Sequence, residues 1–338
     1  MVAQIDREYR SFGLPKVVRR LASYALFEGR PHTTKGQWFN PVVFGLLRTL
    51  AAFPGNPQPK APIFLIGLGR SGTTILGLIL SLHRHVGFLN EPKAMWTVID
   101  PAHDVTGDYS QGPAWFRLVP ETISEKERLA AQRLYSRYAR AVAASRVLDK
   151  YPELVFRIDY VLSLFPDARF ILITRNGADA CRSISTWSDR KGVADGNETE
   201  DWWGRNDCKW RYLWDELVRG DPELAPLHGL NPTDLDQVNR AATEWIVTMR
   251  EGLAAVERYP KQVHHIRYED LVAAPEAELA KLFHHCQLNP DADVLTYATK
   301  VLYTKVPAPK PELIPELIPL FDDMSSKLGY IDDGSAKP

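Results

Sequence analysis

A glycine-rich segment that also carries a cation and several hydroxyls is the first feature of this 338-residue chain that could do chemistry. Residues 67–74 have the sequence Gly-Leu-Gly-Arg-Ser-Gly-Thr-Thr, and they follow the apolar run 62–66. A buried strand that passes through such a loop into a helix presents backbone N–H groups and a positive helix end to an anion. Arg70 adds a charged donor, and hydroxyls follow it at Ser71, Thr73 and Thr74. The segment therefore predicts a phosphate site.

The segment matches three kinds of phosphate-binding loop. A fourth interpretation is a glycine turn that only packs a strand against a helix. The glycines at 67, 69 and 72 fit the dinucleotide fingerprint G-x-G-x-x-G, and an acidic residue, Glu91, follows about 20 residues later. The spacing also fits a P-loop, except that Thr73 occupies the lysine position. In the third kind, that lysine is replaced and a cation stands three positions earlier, as Arg70 does.

A second candidate anion site follows the strongest strand signal, residues 168–174. Arg175 comes directly after this strand, and Ser183 lies eight residues further on, within a helix predicted to start near Ala178. A cation at a strand end and a hydroxyl on the next helix can converge on one phosphate. A nucleotide triphosphatase would place a magnesium-binding acidic residue after such a strand. Because Arg175 stands there instead, we expect a site without metal.

Both segments resemble the cofactor-binding motifs of one family, the sulfotransferases. Residues 69–74 look like the 5′-phosphosulfate loop of the Golgi carbohydrate and tyrosylprotein sulfotransferases and their bacterial relatives. Residues 164–183 resemble the 3′-phosphate motif of that family, with Asn176 where Asp is usual. Residues 266–272 are similar to its Arg-Tyr-Glu-Asp-Leu segment, and residues 149–153 to its Lys-Thr-Pro-Glu segment. The resemblance covers about residues 61–330, with gaps.

The resemblance implies an enzyme that uses 3′-phosphoadenosine 5′-phosphosulfate (PAPS) and releases adenosine 3′,5′-bisphosphate (PAP). The acceptor would be a hydroxyl or amine of a carbohydrate, glycolipid or small natural product. Arg70 would stabilise the leaving group, and Tyr268 would lie near the adenine. The implied cofactor-binding residues are Arg70, Ser71, Gly72, Thr73, Thr74, Arg175, Ser183 and Tyr268.

Glu91 is the candidate general base, because it ends the predicted strand 86–89 beside the glycine loop. Residues 88–92 resemble the Phe-Leu-Tyr-Glu-Pro segment of carbohydrate sulfotransferases, whose glutamate is held to be the base. We expect burial to raise the pKa of Glu91 toward the working range. His103, in a predicted loop, is the alternative base.

Other residues are expected to complete the site. Lys150 could approach the transferring group, and a lysine near the C-terminus (Lys300, Lys305 or Lys310) could close over the cofactor, as one does in related enzymes. Aromatic faces stack on sugars and apolar rings, so a tryptophan cluster suits an acceptor pocket, although core packing explains it equally well. The cluster consists of Trp187, Trp202, Trp203, Trp210 and Trp214.

The predicted strands and helices around these residues alternate along the chain. This order indicates an α/β protein with a P-loop-like, three-layer fold, in which a central parallel sheet is flanked by helices. Residues 1–60 are expected to form a helical N-terminal extension and linker, and residues 61–338 the catalytic domain, with a tryptophan-rich acceptor-side insertion at about 187–233. Predicted strands span 62–66, 86–89, 168–174 and 263–268, and predicted helices span 73–83, 124–145, 154–164, 234–258 and 275–286.

The composition excludes several classes of protein. A formal net charge of −1 gives no global field for nucleic acid. The apolar runs are far shorter than the ~20 residues of a membrane span. Three cysteines without disulfide or metal-site spacing indicate a reducing, cytoplasmic location. A homodimer is possible. The alternatives left open are an NAD(P)-dependent oxidoreductase, which leaves Arg175 and Ser183 without a role, and an inactive nucleotide-binding module.

Overall fold

A five-stranded parallel sheet is the centre of the computed structural model, which describes residues 2–55, 58–195 and 198–330. The predicted linker, the insertion and the last residues of the predicted catalytic domain include positions outside these ranges. The sheet has the strand order β2-β3-β1-β4-β8, and a small antiparallel sheet has the order β5-β6-β7. The strands are β1 (Ile63–Gly67), β2 (Val86–Asn90), β3 (Arg146–Lys150), β4 (Arg169–Thr174), β5 (Val193–Asp195), β6 (Glu198–Asp201), β7 (Gly204–Arg205) and β8 (Val263–Arg267).

Helices cover both faces of the parallel sheet. Alternate residues of a strand point to opposite faces, and on β1 Phe64 and Ile66 belong to one core while Ile63 and Leu65 belong to the other. The predicted fold class, an α/β protein with a parallel sheet between helical layers, is therefore confirmed. The helices are α1 (Arg7–Arg10), α2 (Leu14–Leu26), α3 (Asn40–Ala52), α4 (Thr73–Ser81), α5 (Lys93–Ile99), α6 (Glu125–Ala141), α7 (Ile158–Leu164), α8 (Gly177–Lys191), α9 (Cys208–Leu213), α10 (Gln237–Arg258), α11 (Tyr268–Ala273), α12 (Pro275–His285), α13 (Ala292–Val301) and α14 (Ile318–Lys327).

Strand β3, which lies between β2 and β1, is absent from the sequence-based prediction. Its sequence, Arg-Val-Leu-Asp-Lys, has three charged residues and yet all five side chains are buried. The fold tolerates these charges because each has partners. The Arg146 guanidinium donates to the carbonyl oxygens of Ala61 and Cys286, and Asp149 accepts a hydrogen bond from the Trp96 indole. Tertiary partners, rather than an apolar pattern, make this segment a strand.

The predicted N-terminal extension packs against both faces of the sheet. Tyr9 belongs to one core, and Phe27 and Val43 belong to the other. A buried ion pair between Arg20 and Glu28 fixes the chain that follows α2. None of the helices within the described ranges combines the length and apolar character needed to cross a bilayer.

Candidate active site

The carboxyl ends of all five parallel strands meet at one edge of the sheet, where α/β proteins bind their ligands. The loop after β1 lies at the middle of this edge. Gly67 has φ +130°, and a Cβ there would come within 2.5 Å of the Ile173 carbonyl oxygen. Gly72 has φ +91°, and a Cβ there would lie 2.3 Å from the Tyr268 ring. Glycine at these positions lets the loop turn tightly and brings Tyr268 against it.

The two candidate anion-binding segments meet at this loop. The Arg70 Nε donates to the Ser183 Oγ at 3.1 Å, and the Arg175 Nη1 donates to the Arg70 carbonyl oxygen at 3.0 Å. The Arg175 guanidinium lies over the Tyr268 ring, 4.9 Å from its centroid. Burial lowers the pKa of Arg70, Glu91 opposes this shift and Arg175 adds to it. Residues from three separate segments thus form one cationic group at the sheet edge.

The loop hydroxyls differ in their surroundings. Ser71 is buried; its N–H donates to the Leu68 carbonyl oxygen at 3.3 Å, and its Oγ has no hydrogen-bond partner within the described ranges. Thr73 is also buried, whereas Thr74 is half-buried and lines a cavity. Asn176 caps α8 by accepting a hydrogen bond from the Ala178 N–H, so its side chain serves the turn.

A cavity of about 380 Å³ opens beside the loop, and both Arg70 and Glu91 line it. Glu91 has φ +52°, its N–H donates to the Lys150 carbonyl oxygen at 2.7 Å, and its carboxylate accepts from the Lys150 Nζ. Lys150 is buried, and the Glu91 side chain is 39% exposed. The end of β3 therefore fixes Glu91 through both backbone and side chain.

The expectation of a raised pKa for Glu91 is wrong. Burial does favour a higher pKa, but Lys150 and Lys93 outweigh it and hold the pKa of Glu91 at about 2. The sequence argument counted apolar neighbours and missed these cations. Glu91 is therefore an ionised carboxylate at neutral pH.

Two further ion pairs in the cavity wall were not predicted. Lys93 lies 3.7 Å from the Glu153 carboxylate, and Lys209 lies 2.6 Å from the Glu244 carboxylate, with both partners of each pair largely buried. Lys93 follows Glu91 closely in sequence, and that proximity could have indicated its role. Lys209 and Glu244 come from α9 and α10, and no local pattern connects them.

The tryptophan cluster is divided between cavity and core. Trp187 and Trp202 line the cavity, and the Trp202 ring lies so close to Gly69 that a Cβ there would be 2.5 Å from it. The Trp202 indole N–H donates to Glu244, and the Lys209 ammonium lies over its ring. The other three members are buried in the core: Trp203, Trp210 and Trp214.

His103 is not the loop residue that the sequence indicated. It is fully buried against Trp96 and accepts a hydrogen bond from the Arg157 guanidinium at its Nδ1, 2.9 Å away. Burial and Arg157 lower its pKa well below the usual value. An acceptor hydroxyl in the cavity could not reach this ring without rearrangement.

The candidate C-terminal lysines are not equivalent. Lys300 lies 3.4 Å from the Glu8 carboxylate, and Lys310 lies 2.6 Å from the Asp322 carboxylate. Lys305 is exposed beside the Tyr303 ring, and it has no ion pair within the described residues. The segment that contains Lys305 reaches α8, because the Ala308 N–H donates to Asp179.

Comparisons with known proteins agree with the predicted resemblance. A family profile described as "Sulfotransferase family" matches residues 62–226 and 223–293. Nodulation protein NoeE of Sinorhizobium fredii is 26% identical over 249 residues, which cover 72% of this chain and 54% of NoeE. An uncharacterized protein of Aquifex aeolicus is 27% identical over 257 residues, 72% of this chain and 27% of that protein. The chain thus spans about half or less of these relatives.

One solved structure can be aligned with most of this chain. Sulfotransferase STF1 from Mycobacterium tuberculosis shares 18% identity and a TM-score of 0.43, with 90% of this chain and 94% of that chain covered. The family profile alone matches well over half of the sequence, and the chain belongs to the sulfotransferase family.

Proposed function

We propose that this chain transfers a sulfuryl group from PAPS to a hydroxyl or amine of a carbohydrate, glycolipid or small natural product. The contact of Arg70 with Ser183, together with that of Arg175 with the Arg70 carbonyl, is the observation that carries the proposal. It joins two anion-binding segments beside a cavity large enough for an acceptor. Family membership favours this function over a dinucleotide-dependent oxidoreductase.

The residues at the sheet edge fit a ligand with two phosphate groups. The Arg175 Nε and the Ser71 Oγ are buried without hydrogen-bond partners within the described ranges, so both are donors that the protein itself leaves free. Arg70, Thr74 and the loop N–H groups would hold the 5′-phosphosulfate, and Arg175 and Ser183 the 3′-phosphate. Bound PAPS supplies the sulfuryl group and leaves as PAP.

The side chains of the chain itself would then act by charge and by proton transfer. Arg70 would hold the leaving phosphate and neutralise the charge that develops there. Lys150 holds the Glu91 carboxylate in place. An acceptor hydroxyl becomes strongly acidic once its oxygen bonds to sulfur, so even a carboxylate with a pKa of about 2 can take the proton at that point. Glu91 is thus proposed as a base that acts late.

We also propose a cytoplasmic location and a single catalytic domain for this chain. Cys181, Cys208 and Cys286 are free thiols, which supports a reducing, cytoplasmic environment. Residues 61–338 are proposed as the catalytic domain.

Isothermal titration calorimetry of the whole chain with PAP, NAD and ATP–Mg²⁺ tests the cofactor. We expect low-micromolar binding of PAP that is unchanged by a chelator, and much weaker binding of the other two. Failure to bind PAP, or clear binding of NAD, would contradict the proposal and favour the dinucleotide interpretation.

An acceptor screen tests the base. With any acceptor found, Glu91→Gln should lower turnover by about 10²–10⁴-fold, the usual contribution of a general base, while the affinity for PAP stays the same. The exposed Glu121→Gln variant is the control and should keep full turnover. Full activity of Glu91→Gln would exclude Glu91 as the base.

A further inference from the structure

Helix α2 has the reverse of the usual arrangement of a surface helix. A helix at a protein surface normally buries its apolar side and exposes its polar side. In α2 every exposed residue is apolar, and these residues are Leu14, Pro15, Val18, Leu21 and Leu26. The spacing of Leu14, Val18 and Leu21 places them on one side of the helix. That side therefore presents a row of apolar side chains to the outside of the protein.

The polar side chains of α2 face the protein instead. Arg20 and Ser23 are buried; Arg20 pairs with Glu28, and the Ser23 hydroxyl is hydrogen-bonded to that of Tyr138 at 2.7 Å. Lys16 contacts α13 through an ion pair. These contacts fix the rotation of the helix about its axis, so its apolar side cannot turn inward without breaking them.

The exposed charges beside this helix are all positive. Within residues 2–55 the exposed charged residues are Arg7, Arg10, Lys35 and Arg48, and none of them has an ion pair in the described parts of the chain. The three acids of this segment already have partners, which are Tyr297 for Asp6, Lys300 for Glu8 and Arg20 for Glu28. This part of the surface is therefore positive, although the whole chain has a formal net charge of −1.

Further exposed apolar residues follow α2 in the chain. Trp38 is 82% exposed, and Val42, in the first turn of α3, and Phe53, directly after α3, are also exposed. Arg48 lies on α3 between them, and the Arg137 guanidinium lies over the Phe53 ring. Tryptophan, phenylalanine and leucine next to arginine and lysine are typical of helices that lie in the headgroup region of a membrane.

The charges decide between the possible occupants of this surface. In a symmetric dimer formed through α2, the same arginines of two copies would face each other, and opposed like charges destabilise an interface. An anionic bilayer instead offers acyl chains to the apolar row and phosphate groups to the cations. The chemistry of the surface therefore fits a bilayer better than a second copy of this chain.

We propose that the exposed side of α2 binds the surface of an anionic membrane, with Leu14, Val18 and Leu21 in the headgroup region and the four cations at lipid phosphates. This proposal does not depend on sulfuryl transfer. The chain that leaves α2 also lines the cavity, through residues that include Gly29 and Arg30. The bound protein would thus hold one wall of its cavity a few residues from the bilayer.

Co-sedimentation of the whole chain with lipid vesicles tests this surface, with phosphatidylglycerol as the anionic probe and phosphatidylcholine as the neutral one. At about 50 mM salt we expect binding to phosphatidylglycerol vesicles that is at least about 10-fold tighter than binding to phosphatidylcholine vesicles. At about 500 mM salt the affinity for phosphatidylglycerol should fall at least about 10-fold, because salt screens exposed charges.

A double variant tests the apolar contribution. Val18→Ser with Leu21→Ser should weaken binding to phosphatidylglycerol vesicles by at least about 10-fold, because two apolar side chains no longer enter the bilayer. Val119→Ser with Ile318→Ser is the matched control and should bind as the wild type does. The two control residues are 50% and 40% exposed, close to the 53% of Val18 and the 38% of Leu21.

A second double variant tests the charges. Arg10→Gln with Arg48→Gln should weaken binding to the anionic vesicles by about 10-fold, since each cation at the membrane surface contributes separately. Arg190→Gln with Arg211→Gln, which changes two exposed arginines outside this surface, should leave the affinity unchanged. An unchanged melting temperature in each variant shows that it is folded.

Three results would each overturn the proposal: no binding to anionic vesicles, equal binding to both kinds of vesicle, or unchanged binding in the Val18 and Leu21 variant. Sedimentation equilibrium without lipid tests the other occupant. A dimer that dissociates in the Val18 and Leu21 variant would assign α2 to a second copy of the chain and would also overturn membrane binding.

Discussion

The two ends of the candidate site, the glycine loop and the cavity wall, differ in whether their cationic side chains already contact a carboxylate. At the glycine loop, Arg70 contacts a neutral hydroxyl, and Arg175 approaches a carboxylate, that of Asp179, only at 3.9 Å. In the cavity wall, by contrast, each buried lysine already contacts a carboxylate: Lys150 with Glu91, Lys93 with Glu153 and Lys209 with Glu244. The arginines of the loop are therefore freer to receive phosphate groups than these three lysines, which carboxylates already neutralise.

This difference indicates that the two ends of the site bind different ligands. Under the proposed function, the nucleotide would bind at the loop and the acceptor would occupy the cavity. The boundary between the two ends is the line from Arg70 to Glu91, both of which border the cavity. Sulfuryl transfer would take place along that line.

Replacement of Arg175 by Ala should have the largest effect and tests whether the loop end is the anion site. We expect PAP affinity to fall about 100-fold, because the side chain supplies charge-assisted hydrogen bonds worth about 1.5–3 kcal/mol. Calorimetry measures the change. Arg190→Ala, which changes an exposed arginine of α8, the helix that follows Arg175, is the matched control.

An unchanged PAP affinity in Arg175→Ala would contradict the assignment of the loop end. Because Arg175 is buried and donates to the Arg70 carbonyl, the melting temperature of the variant must also be measured. Arg175→Lys keeps the charge but loses the planar fork, so it should recover only part of the affinity.

The same contrast explains what the sequence could predict. The loop end is encoded in strand–loop–helix segments, so glycine spacing and apolar runs predicted that residues 67–74 and Arg175 each follow a strand directly. The cavity end is assembled from pairs that are distant in sequence, such as Lys209 with Glu244 and Lys93 with Glu153. No local pattern marks such pairs.

Strand β3 shows the same limit for the fold. Its charged residues are buried only because α5, α6 and neighbouring loops bring partners to them, as Trp96 does for Asp149. A sequence window of 146–150 contains none of these partners. The four strands with apolar runs were predicted within one or two residues, whereas this one required tertiary contacts.

Replacement of Lys150 by Met tests whether the ion pair with Glu91, at the cavity end, stabilises the fold. In the wild type the pKa of Glu91 is lowered from 4.5 to about 2, so its ion pair stabilises the fold above pH 4.5 and this contribution is lost as the pH falls toward 2. Without Lys150 burial should raise that pKa. The wild type should therefore be more stable than the variant by about 1–2 kcal/mol at pH 6, with a smaller difference at pH 3.

Urea unfolding between pH 3 and 6 measures this difference, and the exposed Lys126→Met is the control. The expected value is below the full effect of the pKa shift because Glu91 is 39% exposed and solvent screens the pair. A stability difference that does not change with pH would show that Lys150 acts by packing alone. PAP affinity should change little, in contrast to Arg175→Ala.

The contact between Gly69 and Trp202 should give an effect no larger than that of Lys150→Met, and it tests whether the two ends are mechanically linked. A Cβ at Gly69 would lie 2.5 Å from the Trp202 ring, so Gly69→Ala should cost about 1–2 kcal/mol in unfolding free energy. Gly69 does not have a positive φ, and the cost therefore comes from the ring and not from backbone strain. Trp202→Phe removes the clashing part of the indole, so the double variant should recover about 1 kcal/mol in a double-mutant cycle. Additive effects would mean that Trp202 already moves freely, and the loop and the cavity would then respond to their ligands independently.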